Sequence, residues 1–334
     1  MRGPLALLLV VAFLTSAAAQ SGPDITSPLL NLGQVGAQPP ATASSPPLPP
    51  RADGKPPDIA FGAYQRGNFL LALGEAERRL DANPKDAAAM TLMGAIYLDG
   101  AAVARSELEA SRWFRMASNL GDPQAAYELG VLMLQGGEGV DKNPAGAKEQ
   151  FERAAAKSHP GALYNLGVMA LDTSEGKTPD YAKAAQYFLA AANVGDDNGA
   201  YSYGVMEREG RGAPQDLADA ARWLKRASDA GVIAAQVEYA IMLFNGVGVP
   251  KDETAAVEIL RLAAAKGNPI AQNRIAHLYV AGRVVERDLA KAAAWNAFAK
   301  AGGLTDQGLD VATANLTPDE RKRFTQFVRE RIGF

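Results

Sequence analysis

The residues around position 245 combine closely spaced glycines with a lysine, in the stretch NGVGVPKD. Glycine backbone N–H groups beside a lysine can bind phosphate, so this stretch is the first candidate for nucleotide chemistry. A phosphate-binding loop occurs once, after a strand, with four residues between its first glycine and the Gly-Lys pair. Here related stretches recur as GGEGVDKN, GRGAPQD and GRVVERD, without that spacing. The repetition indicates that these glycines turn corners between helices.

Histidine and cysteine offer little further chemistry. The chain has two histidines, His159 and His277, which lie far apart in the sequence, and no cysteine. The absence of cysteine excludes thiol catalysis, disulfide bonds and cysteine-ligated zinc. In a chain of stacked units, where each unit touches only its neighbours, the two histidines are not expected to meet and ligate a metal. We therefore predict no metal site and no cofactor.

Paired carboxylates are the remaining candidates for acid–base catalysis. Asp196 with Asp197, Glu207 with Glu209, and Asp99 are expected in loops or at helix ends, where acidic side chains are solvated or cap a helix. No serine lies in a G-x-S-x-G turn. Without a second convergent group these carboxylates give no support to general acid–base work. We predict that the chain is not an enzyme and has no catalytic residues.

The N-terminal 57 residues read as an export signal followed by a linker. Arg2 precedes an apolar run, Leu5 to Leu14, which is too short to span a membrane, and the run ends in Ala17–Ala19. We expect a signal peptide over residues 1–19, cleavage after Ala19, and a periplasmic or secreted product without stable membrane insertion. Residues 20–57 are rich in proline and are expected to form a disordered linker, whose PPLPP run could also dock in an aromatic groove.

A period of 36 to 37 residues organises the rest of the chain. Small residues recur at Gly94, Gly130, Gly167, Gly204, Ala240 and Ala276, and another lies five residues before each. Two small residues on one side of a helix allow a neighbouring helix to approach closely, as stacked helix pairs require. The pattern predicts repeated units of helix, short loop, helix and turn.

A second set of positions marks the second helix of each unit. About 19 positions after each small residue comes a large one: Trp113, Phe151, Tyr187, Trp223, Ile259 and Trp295. An alanine lies four residues beyond each of these large residues. Eight positions past the large residue comes a helix-ending glycine, whose place His159 takes in one unit: Gly121, His159, Gly195, Gly231, Gly267 and Gly303.

These motifs resemble the Sel-one-like repeat, a relative of the tetratricopeptide repeat. The resemblance covers about residues 86–303 and is best in ARWLKRASDAG, LFNGVGVPKD and KAAAWNAFAKAG. Departures include ARSE at 104–107, DTSEGKTPD at 172–180 and Ile259 in place of an aromatic residue. Upstream, residues 58–85 are closer to a tetratricopeptide unit. The resemblance implies an all-α, right-handed superhelical solenoid of about seven antiparallel helix pairs.

The C-terminal residues 304–334 are expected to close this array. Thr317-Pro318-Asp319-Glu320 has the pattern of a capping box with proline at the first helical position. Phe324, Phe327, Val328 and Ile332 follow at helical spacing. We predict C-terminal capping helices that cover the last repeat.

Rows of polar and aromatic residues on the first helices are the candidate binding surface. Two residues before each small position lie Leu92, Glu128, Asn165, Ser202, Glu238 and Arg274, and with the residues seven positions later they are expected to form an exposed polar line. Beside them lie Tyr127, Tyr164 and Tyr201. Tyrosine suits contact with a peptide or a sugar polymer, but the favoured interpretation is that these side chains fill gaps between adjacent helix pairs.

The resemblance implies a scaffold, and the residues leave its partner open. A protein or peptide bound on the concave face is the first interpretation, and a glycan or cell-wall polymer is the alternative. Exported bacterial members of the family resemble modulators of envelope signalling, surface polysaccharide production or host interaction, and nothing in the sequence selects among these. The net charge of -3 with interspersed signs argues against nucleic acid. A monomer is the favoured state.

Overall fold

The structure is a computed structural model, and it describes residues 58–173 and 178–332. The expected signal peptide and proline-rich linker, and part of the 172–180 loop, lie outside the described residues. The described residues contain sixteen α-helices and no named strand. Consecutive helices pack against each other in antiparallel pairs, so the predicted all-α repeat of helix pairs is confirmed. No described helix has the length and apolar character needed to cross a bilayer.

The chain divides into two compact units at residue 196, and each is described by itself. The N-terminal unit contains eight helices: α1 Ile59–Gln65, α2 Phe69–Ala82, α3 Ala87–Asp99, α4 Glu107–Asn119, α5 Pro123–Gln135, α6 Pro144–Ala155, α7 Pro160–Ala170 and α8 Tyr181–Asn193. The C-terminal unit contains the other eight: α9 Asp197–Glu209, α10 Leu217–Asp229, α11 Ile233–Asn245, α12 Glu253–Ala265, α13 Pro269–Ala281, α14 Leu289–Ala301, α15 Gln307–Thr313 and α16 Pro318–Ile332.

In the N-terminal unit the first helices of successive pairs also contact each other. Helix α3 contacts its own partner α4, the preceding α2, and the first helices on either side, α1 and α5. The second helices show no comparable contact with one another. The first helices therefore share one face of this unit, which we call the first-helix face of α1, α3 and α5.

Side-chain caps define where most of these helices begin. Asp86, Ser106 and Asp122 each accept a hydrogen bond from the backbone N–H three residues on, at 3.0, 3.2 and 2.8 Å. Such caps satisfy N–H groups that the first helical turn leaves without a partner. Short polar residues before each apolar helix thus fix the helix starts locally.

The small residues at the centres of the first helices lie against the second helix of the same pair. In the N-terminal unit a phenylalanine ring occupies the space beside each of these glycines. A methyl carbon added to the glycine would lie too close to the ring, at 2.5 Å for Gly94 and Phe114, 2.7 Å for Gly130 and Phe151, and 2.6 Å for Gly167 and Phe188. In the C-terminal unit Gly204 faces Leu224, and a methyl added there would lie 3.1 Å from it. Close approach of the paired helices therefore requires these small residues.

The predicted row of large residues is out of register in the second repeat. Phe151 is fully buried and corresponds to Phe114 and Phe188, whereas Trp113 and Trp223 are half-buried one position earlier. The loop before α6 covers residues 136–143, one residue more than the loop 210–216 before α10, and this extra residue shifts α6 against the count from Gly130. Trp295 is buried, with Phe298 and Phe327 each 5.8 Å away.

The same shift corrects the position of His159. Ser158 adopts the left-handed conformation, φ 58°, that glycine adopts at this turn in the other repeats, for example Gly121 at 87°. His159 is instead the N-cap of α7, and its Nδ1 accepts from the backbone N–H of Ala162 at 3.2 Å. The expectation that His159 replaces a capping glycine was wrong, because the extra loop residue displaces the turn by one position.

The loop that opened the sequence analysis is a turn between α11 and α12. Gly246 and Gly248 both have positive φ, 71° and 68°, which glycine adopts without a steric cost. In the next repeat Val284 occupies the position of Gly248 with φ 66°. A β-branched residue in this region is strained.

The C-terminal helices complete the C-terminal unit. Thr317 and Glu320 exchange hydrogen bonds, the backbone N–H of Thr317 donating to Oε2 at 2.8 Å and that of Glu320 to Oγ1 at 3.3 Å, as the predicted capping box requires. Phe327 of α16 packs edge-on against Trp295 of α14, and the Arg331 guanidinium lies 4.2 Å from the same indole. Helix α16 thereby covers an apolar part of the last pair.

Candidate functional site

Tyr127 is held by the helix pair that follows it. Its ring stacks on the imidazole of His159 at 4.5 Å and 22°, and lies over Gly161, where an added methyl carbon would come within 2.8 Å of it. Burial, and then the charges of Glu128 and Asp196, raise the pKa of Tyr127 to about 12. The side chain is half-buried and packs between α5 and the N-terminus of α7.

The other two tyrosines are also half-buried. Tyr164 lies 5.6 Å from the ring of Phe188, its partner helix's buried residue. Tyr201 packs against the apolar cluster of the C-terminal unit. Each tyrosine therefore has a packing contact within its own unit, and binding by the exposed parts stays a prediction.

The polar row two residues before each small position is not an exposed line, and that prediction was wrong. Four of its members are buried, namely Leu92, Asn165, Ser202 and Arg274, and Glu128 and Glu238 are half-buried. The helical count assumed one packed side for each first helix. In the structure α3, which carries Leu92, contacts α1, α2, α4 and α5, so a side that a single-helix count leaves to solvent is covered. Seven positions on, Asp99, Gln135 and Ala281 are exposed.

A groove of about 800 Å³ lies on the first-helix face of the N-terminal unit. Helices α1, α3 and α5 line it, together with Arg79 of α2 and Phe114 of α4. Leu92 and its alanine neighbours on α3 give it an apolar surface, and Phe61 of α1, half exposed at 50%, lies at its edge. A volume in this range is typical of sites that hold a small ligand or a few residues of a peptide.

An ion-pair network closes one part of the groove. The Arg79 guanidinium donates to Asp58 at 2.7 Å and to the two carboxylate oxygens of Asp86 at 2.8 and 2.9 Å. Despite partial burial, their hydrogen bonds with backbone N–H groups and Arg79 hold the pKa of both carboxyls below the usual value. Among the described residues that line the groove, Arg79 is the only lysine or arginine, and it is already paired with two carboxylates.

A second acidic group in the groove has no such partner. Glu128 accepts a hydrogen bond from the Gln124 amide at 2.7 Å, and no described lysine, arginine or histidine forms an ion pair with it. Burial, with a smaller effect of the Asp99 charge, raises the pKa of Glu128. Asp99 accepts a short hydrogen bond from the Tyr64 hydroxyl, and burial together with Asp99 raises the pKa of that hydroxyl. The groove therefore combines an apolar surface with unbalanced negative charge.

Sequence reasoning identified Glu128 but missed Phe61 and Tyr64. Both lie on α1, in the helix pair that precedes the repeats, where the glycine and alanine period gives no expectation for aromatic residues. The available signal was an aromatic residue at the apolar-rich start of α1 that no repeat position explains. Because the repeat period gives this aromatic residue no packing role, it was a candidate for an exposed binding residue.

The first helices of the C-terminal unit carry a charged chain. Arg208 of α9 pairs with Glu238 of α11 and, at 3.2 Å, with Glu209, which also pairs with Arg211 at 3.3 Å. Arg274 of α13 is 5% exposed, and its Nε has no hydrogen-bond partner in the described structure. These charges are arranged in sequence along neighbouring helices.

Each described histidine interacts with the N-terminus of a helix, and the two histidines belong to different units. His277 Nε2 lies 2.7 Å from Asp306, the N-cap of α15, and His159 caps α7 in the other unit. No group of three or more His, Cys, Asp or Glu in the described ranges could hold a metal ion. Glu207, expected at a solvated helix end, is instead 6% exposed between α9 and α10.

Comparisons with known proteins agree with this architecture. A Sel1 repeat protein from Oxalobacter formigenes has 24% identity and a TM-score of 0.61, with 72% of this chain and 94% of that chain covered. A protective antigen present in uropathogenic Escherichia coli strains, which displays an SLR fold, has 23% identity and a TM-score of 0.70. The comparison covers 82% of this chain and 60% of the antigen. These likenesses show the fold alone, and no curated protein matches the sequence.

The family comparison matches the helix pairs directly. The Sel1 repeat model matches six consecutive segments, 87–122, 123–159, 160–196, 198–232, 233–268 and 269–297. Each segment corresponds to one pair, from α3 with α4 to α13 with α14, and the last segment ends within α14. Together the segments span more than half of the sequence. With the period, the helix pairing and the matched segments in agreement, the chain belongs to the Sel1 repeat family.

Proposed function

We propose that this protein is an exported scaffold that binds a protein or peptide partner on the first-helix face of its N-terminal unit. Sel1 repeat proteins generally mediate protein–protein interactions and are typically non-catalytic. The observation that carries the proposal for this chain is the groove lined by α1, α3 and α5, with Phe61 half exposed at its edge. Aromatic side chains that become buried in well-packed pockets are among the residues that contribute most to binding energy.

A site-specific crosslink tests the proposed face. A photoreactive benzoylphenylalanine replaces Phe61 in one variant and Leu70 in a control variant. Leu70 is also apolar and exposed, but lies on α2 outside the groove. We expect the Phe61 variant to crosslink a defined partner in cells and the Leu70 variant to give no such product. Equal products from both sites, or products from Leu70 alone, would show that the first-helix face is not the binding surface.

The export part of the proposal is supported by the sequence of the first 20 residues. Arg2, the apolar run and the three alanines before Gln20 have the order of a cleaved signal peptide. The protein would then act in the periplasm or outside the cell, with envelope signalling or surface polysaccharide production as the processes it serves. We expect the N-terminus of the protein purified from the periplasmic fraction to be Gln20. An intact N-terminus on protein confined to the cytoplasm would contradict export.

A glycan partner is the second candidate, and the half-exposed tyrosines favour it. Aromatic rings stack on sugars, and Tyr127, Tyr164 and Tyr201 recur in three successive repeats. Replacing all three by alanine should abolish sedimentation with cell-wall polymer if they bind it, with the melting temperature almost unchanged. Because Tyr127 lies between His159 and Gly161, a large fall in melting temperature is the result expected if the tyrosines only pack.

A further inference from the structure

The groove of the N-terminal unit has space for several residues of another chain. Helix α1 has seven residues, whereas α3 and α5, which line the groove with it, have thirteen each. The groove lies where these three helices meet, and its volume of about 800 Å³ is at the upper end for preformed ligand sites. An extended peptide segment fits this space better than a single ion does.

The apolar part of the groove favours an apolar side chain in the ligand. Phe61 keeps half of its surface exposed although Leu92, which also lines the groove, is buried. Contact between Phe61 and an aliphatic side chain of a ligand would remove that surface from water, which is favourable in proportion to the apolar area covered. The aromatic ring is therefore the expected anchor point.

The charges in the groove favour a cation beside that apolar side chain. Arg79 is matched by Asp58 and Asp86, so these three residues leave a net charge of -1 between them. Glu128 adds a further carboxylate, which accepts a hydrogen bond from the neutral amide of Gln124. Burial disfavours the ionised form of Glu128, which a cation from a ligand would stabilise. Charge complementarity thus selects a basic ligand over an acidic one.

We propose that the groove takes an extended peptide segment with a lysine or arginine next to an apolar side chain, the cation pairing with Glu128 and the apolar side chain contacting Phe61. This inference rests on the proposed function and names the chemistry of the partner. A partially buried, charge-assisted hydrogen bond is stronger than a neutral one, so Glu128 contributes specificity as well as affinity.

A peptide library tests the inference with the full chain. An immobilised random octapeptide library is probed with the wild-type protein, with Glu128→Gln and with a control, Glu77→Gln, whose carboxylate is exposed on α2 outside the groove. We expect the wild type and the control to select peptides that combine a basic and an apolar residue. Glu128→Gln should lose the preference for the basic residue, and Phe61→Ala the preference for the apolar one.

The affinity for one selected peptide gives the quantitative result. We expect Glu128→Gln to weaken binding about tenfold, and the wild-type affinity to fall as salt rises from 50 to 500 mM, because ions screen the pair. The salt dependence needs no variant, so it holds even if Glu128→Gln folds poorly. Unchanged basic preference in Glu128→Gln, or wild-type binding that is insensitive to salt, would refute the pairing.

Three further outcomes separate this inference from the proposed function. If the library gives no basic preference while the crosslink at Phe61 still captures a partner, the peptide chemistry is wrong and the scaffold proposal stands. If both experiments fail, the groove is not a binding site. If peptides bind only after residues 20–57 are deleted, the chain's own proline-rich segment is the occupant and the proposed partner is wrong.

Discussion

Glu207 gives the sharpest test of the physical reasoning. Glu207 is 6% exposed, and one carboxylate oxygen accepts a hydrogen bond from the Tyr203 hydroxyl at 3.3 Å. The other oxygen has no hydrogen-bond partner among the described residues. Asp216 and Asp219, at the start of α10, face it with like charge. Burial, followed by the charge of Asp219, raises the pKa of Glu207 to about 7. We expect the Glu207→Gln variant to be more stable than the wild type at pH 8.

The magnitude follows from the two pKa values. The ordinary value is 4.5 and the folded value about 7, and because one pKa unit corresponds to about 1.4 kcal/mol, the difference is about 3 kcal/mol. The folded state holds the proton more tightly than the unfolded state does. Stability is therefore lost as the pH rises from about 4.5 to about 7, and the loss is complete above that range. The variant, which cannot ionise, should gain almost nothing at pH 4.5 and about 3 kcal/mol at pH 8.

Urea unfolding at a series of pH values measures this gain. Because arrays of repeats can unfold unit by unit, hydrogen exchange of the α9 and α10 amides should accompany the global curve. Glu209→Gln is the matched control on the same helix. Glu209 pairs with Arg208 and Arg211, so its replacement should cost up to about 1 kcal/mol at pH 8 and give no gain. A gain from Glu207→Gln that is equal at pH 5 and pH 8 would refute the reasoning.

Two further predictions concern packing and backbone strain. Gly167→Ala should destabilise the N-terminal unit by about 1–3 kcal/mol, because the added methyl would lie 2.6 Å from the Phe188 ring, whereas Gly204→Ala, 3.1 Å from Leu224, should stay within about 1 kcal/mol of the wild type. Urea unfolding of the two variants provides the comparison, and equal effects would contradict the assigned fit. Val284→Gly should raise the melting temperature, because it relieves a β-branched residue at φ 66°, and a lowered melting temperature would show that Val284 packing outweighs the strain.

The period of small residues was sufficient to predict the repeat architecture. Close packing of paired helices requires a residue without bulk at the crossing point, so Gly94 and Gly130 had to recur at the spacing of the unit. The capping box at Thr317 was predictable for a similar reason, since it depends only on residues three positions apart. Local and periodic constraints are readable from one sequence.

The exposure of individual side chains could not be predicted in the same way. Asn165 and Ser202 are polar, yet they are 4% and 2% exposed. Helical spacing predicts on which face of a helix a residue lies, but it does not predict how many neighbouring helices cover that face. Glu207 shows the same limitation, because Leu243 is its counterpart in the next repeat and only the buried position reveals that a carboxyl has replaced an apolar side chain.

The groove was out of reach of the sequence for a different reason. Phe61, Leu92 and Glu128 lie on three helices, and only the packing of α1, α3 and α5 brings them to one surface. The sequence pattern identified Glu128 as a member of a polar row, but it did not show that Phe61 lines the same groove. Distances across different pairs depend on the geometry of the stack, which no local pattern contains.

The change from phenylalanine to leucine opposite the small residues limits how the repeats can be exchanged. In the first three Sel1 pairs a phenylalanine ring of the second helix occupies the space beside a glycine of the first helix. In the C-terminal unit Ala240 takes the place of the glycine and belongs to the same buried cluster as Leu260. Grafting α12 beside α3 would leave a void over Gly94, and grafting α8 beside α11 would drive a ring into Ala240. Duplication of whole pairs preserves the match, while recombination inside a pair breaks it. The helix pair, and not the single helix, is therefore the module that evolution or a protein engineer can move.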